Sequence, residues 1–122
     1  MNFFTELAGS RMLFFDGGMG TLLQDAGLKP GELPESWNIT HPQDILSIHL
    51  QYLQAGADFV TTNTFGANAL KLHGSSYTAQ QLTEAGVQLA RQAVQQSGKK
   101  AWVALDIGPT GKLLKPLGDL DF

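Results

Sequence analysis

The sequence predicts an α/β fold in which three parallel strands alternate with two main helices. Three observations lead there. Short β-branched and aromatic runs alternate with longer segments of 3.6-residue apolar periodicity. Both long helical segments open on capping sequences and close at glycine. Each strand ends in an acid or small polar residues and then enters a glycine turn. Strands separated by helices pair in parallel through right-handed crossovers, so their carboxyl ends gather on one rim.

Residues 1–11 read as a short amphipathic lead-in with Phe3, Phe4 and Leu7 on one side. The apolar run Met12-Leu13-Phe14-Phe15 reads as a buried strand and opens into Asp16-Gly17-Gly18-Met19-Gly20-Thr21. A carboxylate followed by glycines brings a charge and bare main-chain N–H groups to one point, where a ligand can approach closely. The ammonium and carboxylate of an amino acid suit such a point, although an ordinary strand-to-helix turn has the same spacing. The pattern is neither Gly-x-Gly-x-x-Gly nor a Walker loop, because no Gly-Lys-Ser/Thr follows. Thr21 to Ala26 reads as a short helix closed by Gly27.

Residues 28–39 read as a loop, since two prolines and a glycine oppose both helix and ladder, and Trp37 as the anchor that packs it down. Thr40-His41-Pro42-Gln43 has the form of a capping box with proline in the first turn. The helix beyond carries Ile45, Ile48, Tyr52 and Leu53 on one stripe and stops at Gly56. His49 on that helix reads as a packing or surface residue, because no second ligand stands at metal-site spacing.

Ala57-Asp58-Phe59-Val60-Thr61-Thr62 reads as the second strand, ending at Asn63-Thr64-Phe65-Gly66. A polar segment with a possible helical turn from Ala67 to Leu72, and with His73 facing solvent, leads to a second capping box, Thr78-Ala79-Gln80-Gln81. The long helix after it places Leu82, Ala85, Leu89, Ala90 and Ala93 on one face and ends near Ser97-Gly98. Lys99 and Lys100 fit the charge preference of that helix's C-terminus. The third strand, 101–107, runs into Gly108-Pro109-Thr110-Gly111, and residues 112–122 hold no following helix.

Composition narrows the function classes. With 43% hydrophobic and 16% charged residues the chain reads as a soluble globular domain, cytoplasmic by default. A net charge of −3 argues against a nucleic-acid partner. No apolar run approaches the ~20 residues that span a bilayer, so no membrane partner is expected. Zero cysteines exclude disulfides, thiolate metal sites and a cysteine nucleophile.

The three polar turns fall on one rim, where parallel α/β folds place their sites. Three strands and two helices leave two sheet edges open, whereas a closed eight-stranded barrel takes about 250 residues. The 122 residues therefore read as the amino-terminal part of a (β/α)8 TIM barrel, truncated, with edges that invite a second chain.

With these segments assembled, the chain resembles the homocysteine-binding methyltransferase family, in the branch that forms the amino-terminal module of cobalamin-dependent methionine synthases. The resemblance rests on Asp16-Gly17-Gly18-Met19-Gly20-Thr21, Trp37-Asn38-Ile39-Thr40-His41-Pro42, Tyr52-Leu53-Gln54-Ala55-Gly56-Ala57-Asp58, Thr62-Asn63-Thr64-Phe65 and Gly108-Pro109-Thr110. It implies a (β/α)8 barrel that transfers a methyl group to the sulfur of homocysteine, giving methionine. It further implies that Asp16 binds the homocysteine ammonium, that the backbone at Gly17 and Gly18 receives its carboxylate, and that Asn63 and Thr64 line the same pocket. Many relatives carry a glutamate where this chain has Thr61. The family's zinc is held by three cysteines on later strands, absent from this cysteine-free chain, and cobalamin, where it carries the methyl group, sits on other domains.

The resulting expectation is an amino-terminal fragment of a homocysteine S-methyltransferase with part of the substrate pocket, no catalytic residue and no metal ligand of its own. The alternative is a non-catalytic half-barrel that self-associates or binds a partner. An unrelated barrel enzyme holding an anion at the glycine turns is a third reading. Asp16 is expected to matter most for function and least for folding, with capping of the short helix as its bland alternative.

Overall fold

The computed structural model describes residues 3–9 and 11–122. Its sheet is centred on β1 (Phe59–Thr61), which pairs in parallel with β2 (Trp102–Ala104); Phe59 lies opposite Trp102, Val60 opposite Val103 and Thr61 opposite Ala104. On the other side of β1, Phe15 forms a single parallel bridge to Phe59. There Phe14 O accepts from Asp58 N at 2.7 Å and Phe59 N at 3.1 Å, and Asp16 N donates to Phe59 O at 3.0 Å. Three parallel extended segments thus stand in the expected order, but the first is one bridge rather than a strand. Nor is it buried: Met12 is 76% and Phe15 58% exposed, because no described element covers its outer side. The outer edge of β2 leads likewise to exposed Leu105 and Ile107.

Strand alternation divides the side chains. Val60 joins the core beneath the helices, so Phe59 turns to the opposite face, where it stacks on Phe15 at 4.4 Å and tilts against Trp102 at 5.4 Å. The first segment is also clamped at its start. Arg11 meets both Asp58 oxygens at 2.9 and 2.6 Å, and Phe14 N donates to Asp58 Oδ2 at 2.9 Å. Arg11 and this backbone bond hold the Asp58 carboxyl down to about 2.

The helices are α1 (Phe3–Ala8), α2 (Gly20–Asp25), α3 (Trp37–Thr40), α4 (Pro42–Gln54) and α5 (Ala79–Ser97). In α1 the side chains of Phe3 and Phe4 lie outside the described residues. The segment read as a loop over 28–39 instead tightens into a 3-10 turn, Pro34–Ser36, that runs directly into α3. This changes the start of α4. Thr40 closes α3, its hydroxyl donating back to Ser36 O at 3.2 Å, so it does not cap; His41 occupies the N-cap, and its side chain makes no capping bond. Pro42 keeps its place at the first position, where a missing N–H leaves no bond unmade. Trp37 is buried in the core as expected, its indole N–H held by Glu32 at 2.9 Å.

Helix α5 begins with both halves of the capping box, Gln81 N on Thr78 Oγ1 at 3.1 Å and Thr78 N on Gln81 Oε1 at 3.0 Å. It ends at Gly98, whose φ of 66° suits glycine. Its buried face carries Leu82, Gly86, Leu89, Ala90 and Ala93; Ala85 is only half-buried and Gly86 takes the contact expected of it. Lys99 does not serve the end of α5 but donates from Nζ to Leu53 O at 2.6 Å, a second donor to a carbonyl in the last turn of α4 that also accepts Gly56 N at 3.1 Å. The possible helical turn at 67–72 is a run of turns with a bond from Leu72 N to Asn68 O. Residues 112–122 form no helix but a small bridge of Leu114 to Leu120. No helix is long and apolar enough to cross a membrane among the described residues.

Candidate functional site

The parallel strands deliver three turns to one rim, and a cleft of about 380 Å³ opens there. Asp16 to Gly20 form one wall, Thr61 to Phe65 another, and Asp106 and the Pro34–Glu35 turn complete it. The five residues singled out from the sequence, Asp16, Gly17, Gly18, Asn63 and Thr64, therefore meet in one place. Of the third turn only Asp106 reaches the cleft; Gly108 to Gly111 do not line it.

Asp16 has a structural task that the sequence conceals. Its Oδ2 accepts Thr61 N at 2.8 Å and its Oδ1 accepts Thr61 Oγ1 at 2.7 Å, which ties the first segment to the end of β1. The expectation that folding makes no use of this carboxylate is thereby corrected. The bland alternative fails too, because the N-cap of α2 is Met19 and no side chain caps it. Each Asp16 oxygen keeps lone-pair capacity beyond these bonds.

The glycine turn is held from beneath by Tyr52, whose hydroxyl donates to Gly18 O at 2.6 Å. A Cβ on Gly17 would stand 2.8 Å from that hydroxyl oxygen, so any side chain here would push Tyr52 off the turn. Among the described residues no acceptor within the protein takes the N–H groups of Gly17 or Gly18.

The second wall is a buried polar network. Asn63 Nδ2 donates to Pro34 O at 2.9 Å and Asn38 Oδ1 at 3.0 Å, while Asn38 Nδ2 donates to Asn63 O at 2.8 Å and Leu82 O at 3.1 Å. Asn63 thus fixes the 34–38 segment to the rim. Thr64 Oγ1 donates to Asp106 O at 2.7 Å and lies 2.7 Å from Thr62 Oγ1, which accepts Asp106 N at 3.0 Å. The two threonines lace the second turn to the third.

Sequence reasoning missed Glu35, placed in an undifferentiated loop. It is 5% exposed, lines the cleft, and accepts Gly66 N through Oε1 at 2.6 Å. The legible signal was Pro34-Glu35-Ser36 immediately before the anchor Trp37, a run suited to a tight helical turn. Asp16, Glu35 and Asp106 make the lining acidic, and among the described residues it includes no Lys, Arg or His. His49 is fully buried, and among the described residues neither ring nitrogen has a hydrogen-bond partner. Burial pushes its pKa down to about 4, only partly offset by the nearby charge of Asp16. It is a packing residue.

The donor set does not fit a zinc site. The chain has no cysteine, and among the described residues no three His, Asp or Glu side chains stand close enough to share a metal. His41 stacks on Trp37 at 4.1 Å and His73 lies in an exposed turn, both apart from His49.

Fold and cleft together define an α/β protein with a small cleft, lined by three carboxylates, at the carboxyl ends of parallel strands. The chain belongs to the homocysteine S-methyltransferase family, whose model matches residues 13–121. It is similar to methionine synthase from Mycobacterium leprae (strain TN), 34% identical over 96% of this chain and 10% of that protein. It is also similar to methionine synthase from Mycobacterium tuberculosis (strain ATCC 25618 / H37Rv), at 33% over 96% and 11%. The chain thus spans about a tenth of the length of these relatives. In structure it is similar to the metallated form of the homocysteine methyltransferase MmuM from Escherichia coli, with a TM-score of 0.77 and 24% identity over 90% of this chain and 42% of that one. The oxidized form of MmuM gives a TM-score of 0.75 over the same shares. These two likenesses concern the fold.

Proposed function

We propose that this chain supplies part of the homocysteine site of a (β/α)8 methyltransferase that methylates the homocysteine thiol to give methionine. Asp16 holds the ammonium with the lone pairs not given to Thr61. The N–H groups of Gly17 and Gly18 receive the carboxylate, and Asn63 and Thr64 shape the opposite wall. The observation that carries this reading is the convergence of these five residues on one cleft, in a chain of this family. Oriented this way, an amino acid is held by its two charged groups while its side chain is left to point out of the turn.

The groups that would activate the thiol are not supplied by these residues, since they do not fit zinc. The proposal therefore assigns this chain binding and orientation only, with metal and methyl donor held elsewhere in the assembled enzyme. Titrating homocysteine into the chain, followed by amide chemical shifts, tests the binding. Perturbations centred on 16–20 and 61–65 are expected, and no perturbation there at tens of millimolar homocysteine refutes the reading. Metal analysis after dialysis is expected to give far less than one zinc per chain; a tightly held stoichiometric zinc contradicts the division of roles.

A further inference from the structure

We infer that Glu35 is a second carboxylate anchor for the ligand's ammonium, shared with Asp16, and so sets the cleft's preference for amino acids over their desamino analogues. This rests on the amino-acid reading of the cleft given above and adds a residue to it. Three observations carry it.

The first is an oxygen left open to the cleft. Glu35 is 5% exposed and lines the cleft, and its Oε1 accepts Gly66 N. Oε2 accepts no hydrogen bond among the described residues and is not one of the fully buried unpartnered atoms, so it remains accessible to a donor in the cleft. The second is a built cradle. A Cβ on Gly66 would stand 3.0 to 3.1 Å from Glu35 Oε1, Cδ and Oε2, so the carboxylate lies flat against a glycine that admits it. A side chain there would press the carboxylate back by a few tenths of an ångström, whereas glycine leaves the 2.6 Å bond undisturbed. The third is charge. Among the described residues no cationic side chain lines the cleft, so a cationic group of a ligand meets its carboxylates without a competing positive charge. No three of these carboxylates, among the described residues, stand close enough to share a metal. At about 380 Å³ the cleft stands at the small end of ligand sites, so groups on its opposite walls reach the same small molecule.

The test uses Glu35→Gln. Its amide oxygen still accepts Gly66 N–H, so the turn is kept while the charge is lost. The wild-type chain and E35Q are titrated with homocysteine and with 4-mercaptobutanoate, which keeps the thiol and carboxylate but lacks the ammonium. Wild type is expected to prefer homocysteine. E35Q is expected to bind homocysteine about tenfold more weakly and 4-mercaptobutanoate at least as well as wild type, at an unchanged melting temperature. An unchanged preference in E35Q overturns the inference, as does an equal loss of both ligands, which marks a purely structural role. A wild-type chain that binds both ligands alike, or neither, defeats the amino-acid reading itself and this inference with it. If E35Q fails to fold, Glu35→Asp decides: it keeps the charge but withdraws it by one methylene. A reduced preference in a folded E35D supports the anchor, and an undiminished one refutes it.

Discussion

Replacing Asp16 separates its two tasks, because asparagine and alanine disturb them differently. In Asp16→Asn the amide oxygen can still accept Thr61 N, now 2.8 Å from Oδ2. The amide nitrogen can donate to Thr61 Oγ1, now 2.7 Å from Oδ1, once that hydroxyl turns from donor to acceptor. Both ties survive as neutral bonds in place of charge-assisted ones, a difference of about 1 kcal/mol in stability. Asp16→Ala removes both and leaves Thr61 N–H without its acceptor, which costs about 2–4 kcal/mol. Ligand affinity follows a different order. Either variant takes the Asp16 charge away from the substrate ammonium, so homocysteine binding should weaken by about 2–5 kcal/mol in both. Guanidinium unfolding and homocysteine titration on the same preparations measure the two effects. Asparagine that binds as well as wild type refutes the assignment of Asp16 to the ammonium. Asparagine as destabilising as alanine refutes the argument that the tie survives the exchange.

Histidine burial gives a pH signature. His49 titrates near 4 in the folded chain against 6.5 in the unfolded one, so the unfolded state takes the proton first. Stability is complete above pH 6.5 and falls towards pH 4 by at most about 3 kcal/mol; His49→Leu should flatten this window in urea titrations. The Asp58 carboxyl, held at about 2, adds a separate loss as pH falls from about 4 towards 2, which His49→Leu should leave in place. Gly86→Ala should destabilise although alanine favours helix by about 1 kcal/mol, because its Cβ would stand 2.8 Å from Thr64 Cγ2 and 2.9 Å from Asn38 Nδ2. Overpacking of about 1–3 kcal/mol outweighs the propensity, and a raised melting temperature would show that α5 has room to move. The isolated chain is expected to self-associate in light scattering over a concentration series, given unpaired sheet edges beside exposed Met12, Phe15, Leu105 and Ile107. A monomer throughout would show that these edges are tolerated.

Local chemistry was legible in the residues themselves. The capping box at Thr78 and Gln81, the left-handed stop at Gly98, the parallel order of the extended segments and the gathering of Asp16, Gly17, Gly18, Asn63 and Thr64 on one rim all follow from neighbours in the chain and from crossover handedness. What each rim residue is bonded to did not follow. Asp16 finds Thr61 45 residues away, Glu35 finds Gly66 31 away, and Lys99 serves a helix end 46 residues back. Such partners share no spacing or period, because they meet only after the strands have paired and α4 and α5 have packed. The same holds for Gly86, where periodicity pointed to Ala85: apolar pattern marks the face of a helix, but the closeness of Thr64 and Asn38 selects which position on that face must lack a side chain. Sequence determined where the polar turns would stand; tertiary packing decided which of their groups are held by the protein and which are left open to the cleft.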